Sequence, residues 1–199
     1  MIVAMTDSPS PASSFGSPPG SWTVHQARTV YDGAPWLQVD LADVTAPDGS
    51  RFEHHVVRMP RIAIALVVDE DTDTVLMFRR QRWVVGQWGY ELLGGLVEPG
   101  EDPAETAMRE ALEESGWRPR GPGEHLITIH PLPGMLDTIL DIYLWRHGAY
   151  RVGEPTDPHE VGSLHWVPLQ QVHGLAQRQE LLGAGTALAL FYYLATRIG

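Results

Sequence analysis

The sequence predicts an α/β (α+β) fold: a sandwich built on one mixed sheet, with a small antiparallel sheet ahead of it. Three observations carry this. Residues 61–69, RIAIALVVD, form a short β-branched run suited to a central strand. A capped acidic helix, starting near Asp102, lies between two groups of strands. A long apolar segment, residues 178–197, closes the chain as a second helix. Strands, helix, strands, helix is the order of a layered sandwich rather than of a βαβ repeat.

Residues 1–20 are rich in Ser, Pro and Gly and bury too little apolar surface to order themselves, so they read as a tail. Residues 21–60 read as a small antiparallel unit. Trp36 to Leu41 alternates as a half-buried strand does, Ala46-Pro47-Asp48-Gly49 is a turn, and Phe52 to Val57 returns as the partner. Residues 61–199 read as the main domain. Asp71-Thr72-Asp73 turns the chain out of the central strand, and Thr74 to Arg80 runs back. Further strands are expected over 124–130, 138–145 and 163–167. The last helix offers Leu181, Leu182, Leu188, Leu190, Phe191 and Leu194 to the core, with Gly183 and Gly185 weakening its first turns.

Composition narrows the chemistry. The 199 residues carry 43% hydrophobic side chains and a formal charge of -11. The acidity argues against a nucleic-acid binder, which carries a basic face, while leaving anionic small substrates open. There are no cysteines, which removes disulfides, zinc–thiolate centres and cysteine nucleophiles. No apolar run approaches a membrane span and the first residues do not form a signal peptide, so no membrane partner and a cytoplasmic location are expected. There is no GxGxxG, P-loop, HExxH or serine elbow.

The acidic helix is the most informative segment. Asp102 is suited to the N-cap, Pro103 to the first helical position, Glu105 to a capping-box pair, and Gly116 to the stop. Ala104, Ala107, Met108, Ala111 and Leu112 supply its apolar stripe. Glu110, Glu113 and Glu114 fall at i, i+3 and i+4 and share a face. Their mutual repulsion is destabilising unless a cation relieves it, and hard divalent ions take such oxygen ligands and bridge them to phosphates. Ahead of the helix, Gly94-Gly95 marks a close approach of backbone and Pro99-Gly100 a tight loop.

Gly95, Glu101, Arg109, Glu110, Glu113, Glu114, Gly116 and Trp117 fit the pattern Gly-x5-Glu-x7-Arg-Glu-U-x-Glu-Glu-x-Gly-U, U being a bulky apolar residue; Ala111 is the one small departure. This resembles the Nudix box. The resemblance implies an α/β/α sandwich and an enzyme that hydrolyses nucleoside diphosphates linked to another group, using Mg2+ or Mn2+. By position, Glu110, Glu113 and Glu114 look like the catalytic metal-binding carboxylates, and the Gly94 carbonyl like a further ligand. Glu101 and Arg109 look like an ion pair supporting the box.

Beyond the box, the chain most resembles ADP-ribose and nucleoside-diphosphate-sugar pyrophosphatases over roughly residues 22–170. The N-terminal antiparallel unit is similar to that subgroup's extra sheet. Arg79-Arg80-Gln81-Arg82 and Trp88-Gly89-Tyr90-Glu91-Leu92 resemble its Arg-Gln-Tyr-Arg and Trp-x-x-Glu-Leu-Pro-Ala-Gly, with Leu93-Gly94 replacing Pro-Ala. Pro133 stands where these enzymes carry a proline. Arg79, Arg80 and Arg82 are candidate substrate contacts, since guanidinium forks fit phosphate oxygens. Trp36, Trp83 and Trp88 are candidates for stacking on a base, Trp36 foremost. Five residues past Pro133 the subgroup places a glutamate; here it is Thr138, which leaves Asp137 as the candidate base and Asp141 and Glu160 as further carboxylates. His54, His55 and His130 show no ligand spacing. The expected partner is a small nucleoside diphosphate derivative, and the subgroup's habit implies a homodimer. Two other readings stay open: a nucleoside triphosphate or dinucleoside polyphosphate hydrolase, and a noncatalytic nucleotide-sensing Nudix module.

Overall fold

In a computed structural model of the chain, residues 20–156 and 162–197 are described. The tail expected over 1–20 therefore lies outside the described residues except for Gly20, as does Glu160. Three strands open the fold: β1 (Thr23–Gly33), β2 (Leu37–Thr45) and β3 (Arg51–Arg58), paired antiparallel in that order. The 46–49 turn joins the last two, with the Gly49 amide donating to the Ala46 carbonyl at 2.9 Å and the Ser50 amide to Asp48 Oδ1 at 2.9 Å.

The main sheet comprises β4 (Ile62–Asp69), β5 (Thr74–Arg82), β6 (Gln87–Glu91), β7 (Leu93–Leu96), β9 (Glu124–Ile129), β11 (Leu140–Trp145) and β13 (Gly162–Pro168), with β8 (Trp117–Pro119), β10 (Leu136–Asp137) and β12 (Ala149–Arg151) outside it. Its path is β13-β5-β4-β11-β9, with β6 on β5 and β7 on β4. The sheet is mixed, because β4 and β11 run parallel while the other pairs are antiparallel.

Side-chain alternation along β4 divides the core in two. Leu66 and Val68 face a cluster with Val172, Leu175, Leu190 and Tyr193, contributed by α2 (Val172–Gln177) and α3 (Ala184–Thr196). Ala63, Ala65 and Val67 face the other side, against Ala107 and Ala111 of α1 (Pro103–Ser115) and Trp145. Helices on both faces give the expected α/β/α sandwich. Among the described residues no helix is long and apolar enough to cross a membrane.

Three local expectations are corrected. The helix expected from 178 begins only at Ala184. Residues 180–182 instead run extended along β6: the Tyr90 amide donates to the Glu180 carbonyl at 2.7 Å, the Leu182 amide to the Tyr90 carbonyl at 2.9 Å, and Gly183 (φ 80) then turns the chain. Phe191, expected in the core, is exposed, and Tyr193 is buried in its stead. The strand expected over 138–145 starts only at Leu140, and ahead of it Leu136 and Asp137 form a separate short strand paired with Val57 and Arg58 of β3. That pairing ties the N-terminal sheet to the main domain.

Candidate active site

The site begins with the cap of α1. Asp102 is in extended conformation and its Oδ1 accepts from the Ala104 amide at 2.8 Å and the Glu105 amide at 3.3 Å, so two of the helix's orphan donors are satisfied. Gly116, at φ 73, ends the helix, its amide donating to the Leu112 carbonyl at 2.7 Å. Between these ends the helix carries Glu110, Glu113 and Glu114, and it packs on β7, whose Gly95 leaves room for the Glu110 carboxyl and whose Gly94 lies close on β4. A Cβ on Gly94 would lie 2.3 Å from the Ala63 carbonyl oxygen, and one on Gly95 2.4 Å from Cδ of Glu110. Gly94 is therefore required by the backbone of β4, whereas at Gly95 only the Glu110 carboxyl stands in the way.

Arg109 organises the outer carboxylates. Its Nε and Nη2 donate to the two oxygens of Glu101 at 2.9 and 3.0 Å, while Nη1 donates to Glu110 and Glu113 at 2.9 Å each. The Arg109 hydrogen bonds hold the Glu101 carboxyl down to about 2 and raise the arginine's own pKa. Burial pushes the Glu110 carboxyl up, against the pull of Arg109.

Glu114 is the innermost member, 4% exposed. Its Oε2 accepts from the Gly94 amide at 3.0 Å, and its Oε1 from Nη1 and Nη2 of Arg80 at 3.3 Å. Burial raises it to about 7 although Arg80 and the Gly94 amide both favour the charged form. Arg80 is itself 3% exposed and its Nε lies 2.7 Å from Glu91. Sequence reasoning placed Arg80 among the substrate contacts; the strand points it inward to two carboxylates instead. Its part-buried partner Glu91 was not among the expected site residues, although it stands in the Trp-x-x-Glu motif.

Arg82, two residues on and half-exposed, also holds Glu91, with Nη2 at 2.7 Å. Arg82 and Glu91 line an open cleft of about 590 Å³ with Val84, Val85, Leu181 and Gly183. Arg79 instead stacks over Trp88 at 5.2 Å. Trp36 is 67% exposed on the N-terminal unit, and Trp83 is exposed at the β5–β6 turn.

The loop after Pro133 is bonded to the N-terminal sheet, with Leu136 and Asp137 paired to Val57 and Arg58. Thr138 is buried and its Oγ1 donates to the Pro60 carbonyl at 2.7 Å. Asp137 is exposed and paired with Arg58, which also donates Nε to Asp40 at 2.7 Å. Asp141 is fully buried, bonded by Arg61 and by Thr128 Oγ1 at 2.6 Å, which commits it to the sheet. His54 donates to the Gly134 carbonyl at 2.8 Å and His130 to the Thr138 carbonyl at 3.1 Å, so both brace that loop.

Among the described residues no three carboxylate or imidazole groups already converge as a cation cage. The donor set nevertheless fits a hard divalent ion. Three carboxylates share one helix face, the innermost bonded to the Gly94 amide, and the other two already share a cationic nitrogen, Nη1 of Arg109.

Comparisons with known proteins accord with this geometry. Residues 58–185 match the NUDIX domain, and residues 22–57 match the nucleoside diphosphate sugar hydrolase N-terminal domain. The chain is 43% identical over 173 residues to a CMP-5'-(N-acetyl-N-hydroxy-3-aminopropyl)phosphonate hydrolase of Streptomyces rubellomurinus, covering 87% of this chain and 82% of that one. It is 26% identical to an ADP-ribose pyrophosphatase of Bacillus subtilis, over 78% of this chain and 84% of that one. A crystal structure of an ADP compounds hydrolase superposes with a TM-score of 0.74 at 20% identity, covering 90% of this chain and 95% of its own, a likeness of fold. The capped acidic helix lies within the matched NUDIX domain and the N-terminal sheet within the matched nucleoside diphosphate sugar hydrolase N-terminal domain, and the chain belongs to the Nudix hydrolases.

Proposed function

We propose that this enzyme hydrolyses the diphosphate bond of ADP-ribose or a related nucleoside diphosphate sugar, releasing a nucleoside monophosphate and a sugar phosphate. The observation that carries the reading is the succession on one chain of the sugar-hydrolase N-terminal unit and the complete carboxylate helix. Glu110, Glu113, Glu114 and the Gly94 carbonyl would hold Mg2+ or Mn2+. Such an ion, when bound, neutralises the diphosphate and acidifies a ligated water. In hydrolysis the water oxygen bonds to one phosphorus, the bond from that phosphorus to the bridging oxygen breaks, and the departing phosphate keeps the electron pair. Asp137 is assigned to take the water's proton, oriented by Arg58.

Arg82, half-exposed at the cleft, is assigned to the phosphates, with Arg79, stacked over Trp88, as a further contact and Trp36 to the base. Glu101 and Arg109 brace the loop against the helix. The edge strand β1 is exposed along nearly its whole length, and with Trp22, Val24 and Tyr31 uncovered it suits a homodimer formed through the N-terminal sheet.

A second reading keeps the reaction and changes the leaving half: a nucleoside monophosphate joined to a phosphonate. The 43% identity to the phosphonate hydrolase favours it. Both are tested by incubating the protein and Mg2+ with ADP-ribose, several nucleoside diphosphate sugars, a CMP-linked phosphonate, a nucleoside triphosphate and a dinucleoside polyphosphate, and identifying the products. Cleavage confined to the triphosphate or polyphosphate overturns both readings, and tight binding without turnover of any compound overturns the enzyme assignment of the site.

A further inference from the structure

The Arg-Gln-Tyr-Arg run of the resembling enzymes reads Arg79-Arg80-Gln81-Arg82 here, so an arginine stands at the glutamine position. In the fold that arginine is buried, and it joins two structures that would otherwise be separate. Arg80 holds Oε1 of Glu114 through Nη1 and Nη2 at 3.3 Å, and lies 2.7 Å through Nε from Oε2 of Glu91. The same Oε2 of Glu91 is 2.7 Å from Nη2 of Arg82. The Arg82 side chain is 45% exposed at the cleft, whereas those of Arg80, Glu91 and Glu114 are 4%, 13% and 5% exposed. Arg82 is therefore the member of this chain of charges that a ligand in the cleft meets first.

We propose that Arg80 is a positioning residue that couples anion binding at Arg82 to cation binding at Glu114, with Glu91 as the exchangeable link. The proposal rests on the reading of Glu114 as a metal carboxylate. A phosphate oxygen that engages Arg82 competes with Glu91 for that guanidinium. Glu91, released, is left part-buried with Arg80 as its neighbouring cation and competes with Glu114 for the remaining guanidinium nitrogens, since a carboxylate largely out of water is disfavoured without a counter-charge. Arg80 then loosens on Oε1 of Glu114, which becomes available to a divalent ion. By linkage the reverse holds equally: a cation on Glu114 displaces Arg80 toward Glu91 and frees Arg82 for the anion. The guanidinium fork makes this exchange feasible, because its separate nitrogens serve two carboxylates at once.

The test is a double-mutant cycle on the full chain, read as Mn2+ affinity by electron paramagnetic resonance without substrate. Arg82→Ala mimics withdrawal of Arg82 from Glu91 and should tighten Mn2+ binding about fivefold or more in the native background. In the Arg80→Gln background the same change should alter affinity by less than about twofold, since the link is cut. An Arg82→Ala effect of equal size in both backgrounds would be direct electrostatics and overturns the proposal, as does no effect in the native background. Arg80→Met, which fills the same buried volume, replaces Arg80→Gln in the cycle should melting curves show that the glutamine variant does not fold. Glu114→Gln separates the two levels: if it leaves Mn2+ affinity unchanged, the metal reading fails and the coupling with it. If it weakens Mn2+ binding while the cycle shows no coupling, only the coupling fails.

Discussion

Arg109 clasps Glu101 with two parallel hydrogen bonds, Nε to Oε1 at 2.9 Å and Nη2 to Oε2 at 3.0 Å, and so pins the loop ahead of the helix to the helix itself. The pair lowers the Glu101 carboxyl from 4.5 to about 2. A carboxylate with a depressed folded-state pKa contributes stability that is complete above its unfolded value and is lost as pH falls through the folded one. Glu101→Gln should therefore lower stability by about 1–3 kcal/mol near neutrality. The gap in melting temperature between native and variant protein should close as pH falls from 4.5 toward about 2. A gap that stays constant over that range would show that Arg109 does not favour the charged form of Glu101.

The glycine pair separates two kinds of damage. Alanine at 95 meets the end of the Glu110 side chain, at 2.4 to 2.7 Å, and that carboxylate can swing away. Gly95→Ala should melt near the native temperature yet bind Mn2+ more weakly and turn over about 10- to 100-fold more slowly. Alanine at 94 meets the backbone of β4, at the Ala63 carbonyl oxygen and Ile64 Cα, neither of which can yield. Gly94→Ala should lose about 1–3 kcal/mol of stability or more, measured by denaturant unfolding.

Glu114→Gln keeps the side-chain volume and one accepting oxygen, which can take the Gly94 amide or Arg80 but not both, so the variant should fold with a lower melting temperature. The loss of one carboxylate charge should cut turnover at least about 100-fold. Near-native turnover at saturating Mg2+ would remove Glu114 from the ligand set.

The helix, its cap and its stop were legible because each depends on a few neighbouring residues: Asp102 bonds two amides within three positions, and Gly116 takes the left-handed turn. The mixed sandwich was legible for a similar reason, since β-branched runs and apolar stripes announce which faces need covering. What escaped depends on partners far apart in sequence. The extended segment 180–182 is set by hydrogen bonds to Tyr90, and an apolar leucine pair there looks like helix from its neighbours alone. Arg80 and Arg82 are two residues apart on one strand and carry the same charge. Only the register that brings Phe78 opposite Glu91, and the helix that brings Glu114 beneath the sheet, separates the buried one from the exposed one.

The same long-range logic governs the loop after Pro133. Thr138 occupies the place of the subgroup's glutamate, but its hydroxyl is turned inward to the Pro60 carbonyl at 2.7 Å, so it offers no base. Asp137 faces solvent and shares Arg58 with Asp40 of the N-terminal sheet. Arg58 thus links the two sheets through two carboxylates. Its hydrogen bond holds Asp40 below the usual carboxylate range. If Asp137 accepts the proton from water, Asp137→Asn should lower kcat by about 10²- to 10⁴-fold with little change in KM. Arg58→Gln, which removes the orienting partner and leaves the carboxylate, should lower kcat less than Asp137→Asn while loosening the N-terminal sheet, seen as faster amide exchange in β3. Asp137→Asn with native kcat and the same accelerated exchange would make Asp137 a tether between sheets, and the base would then have to come from another group.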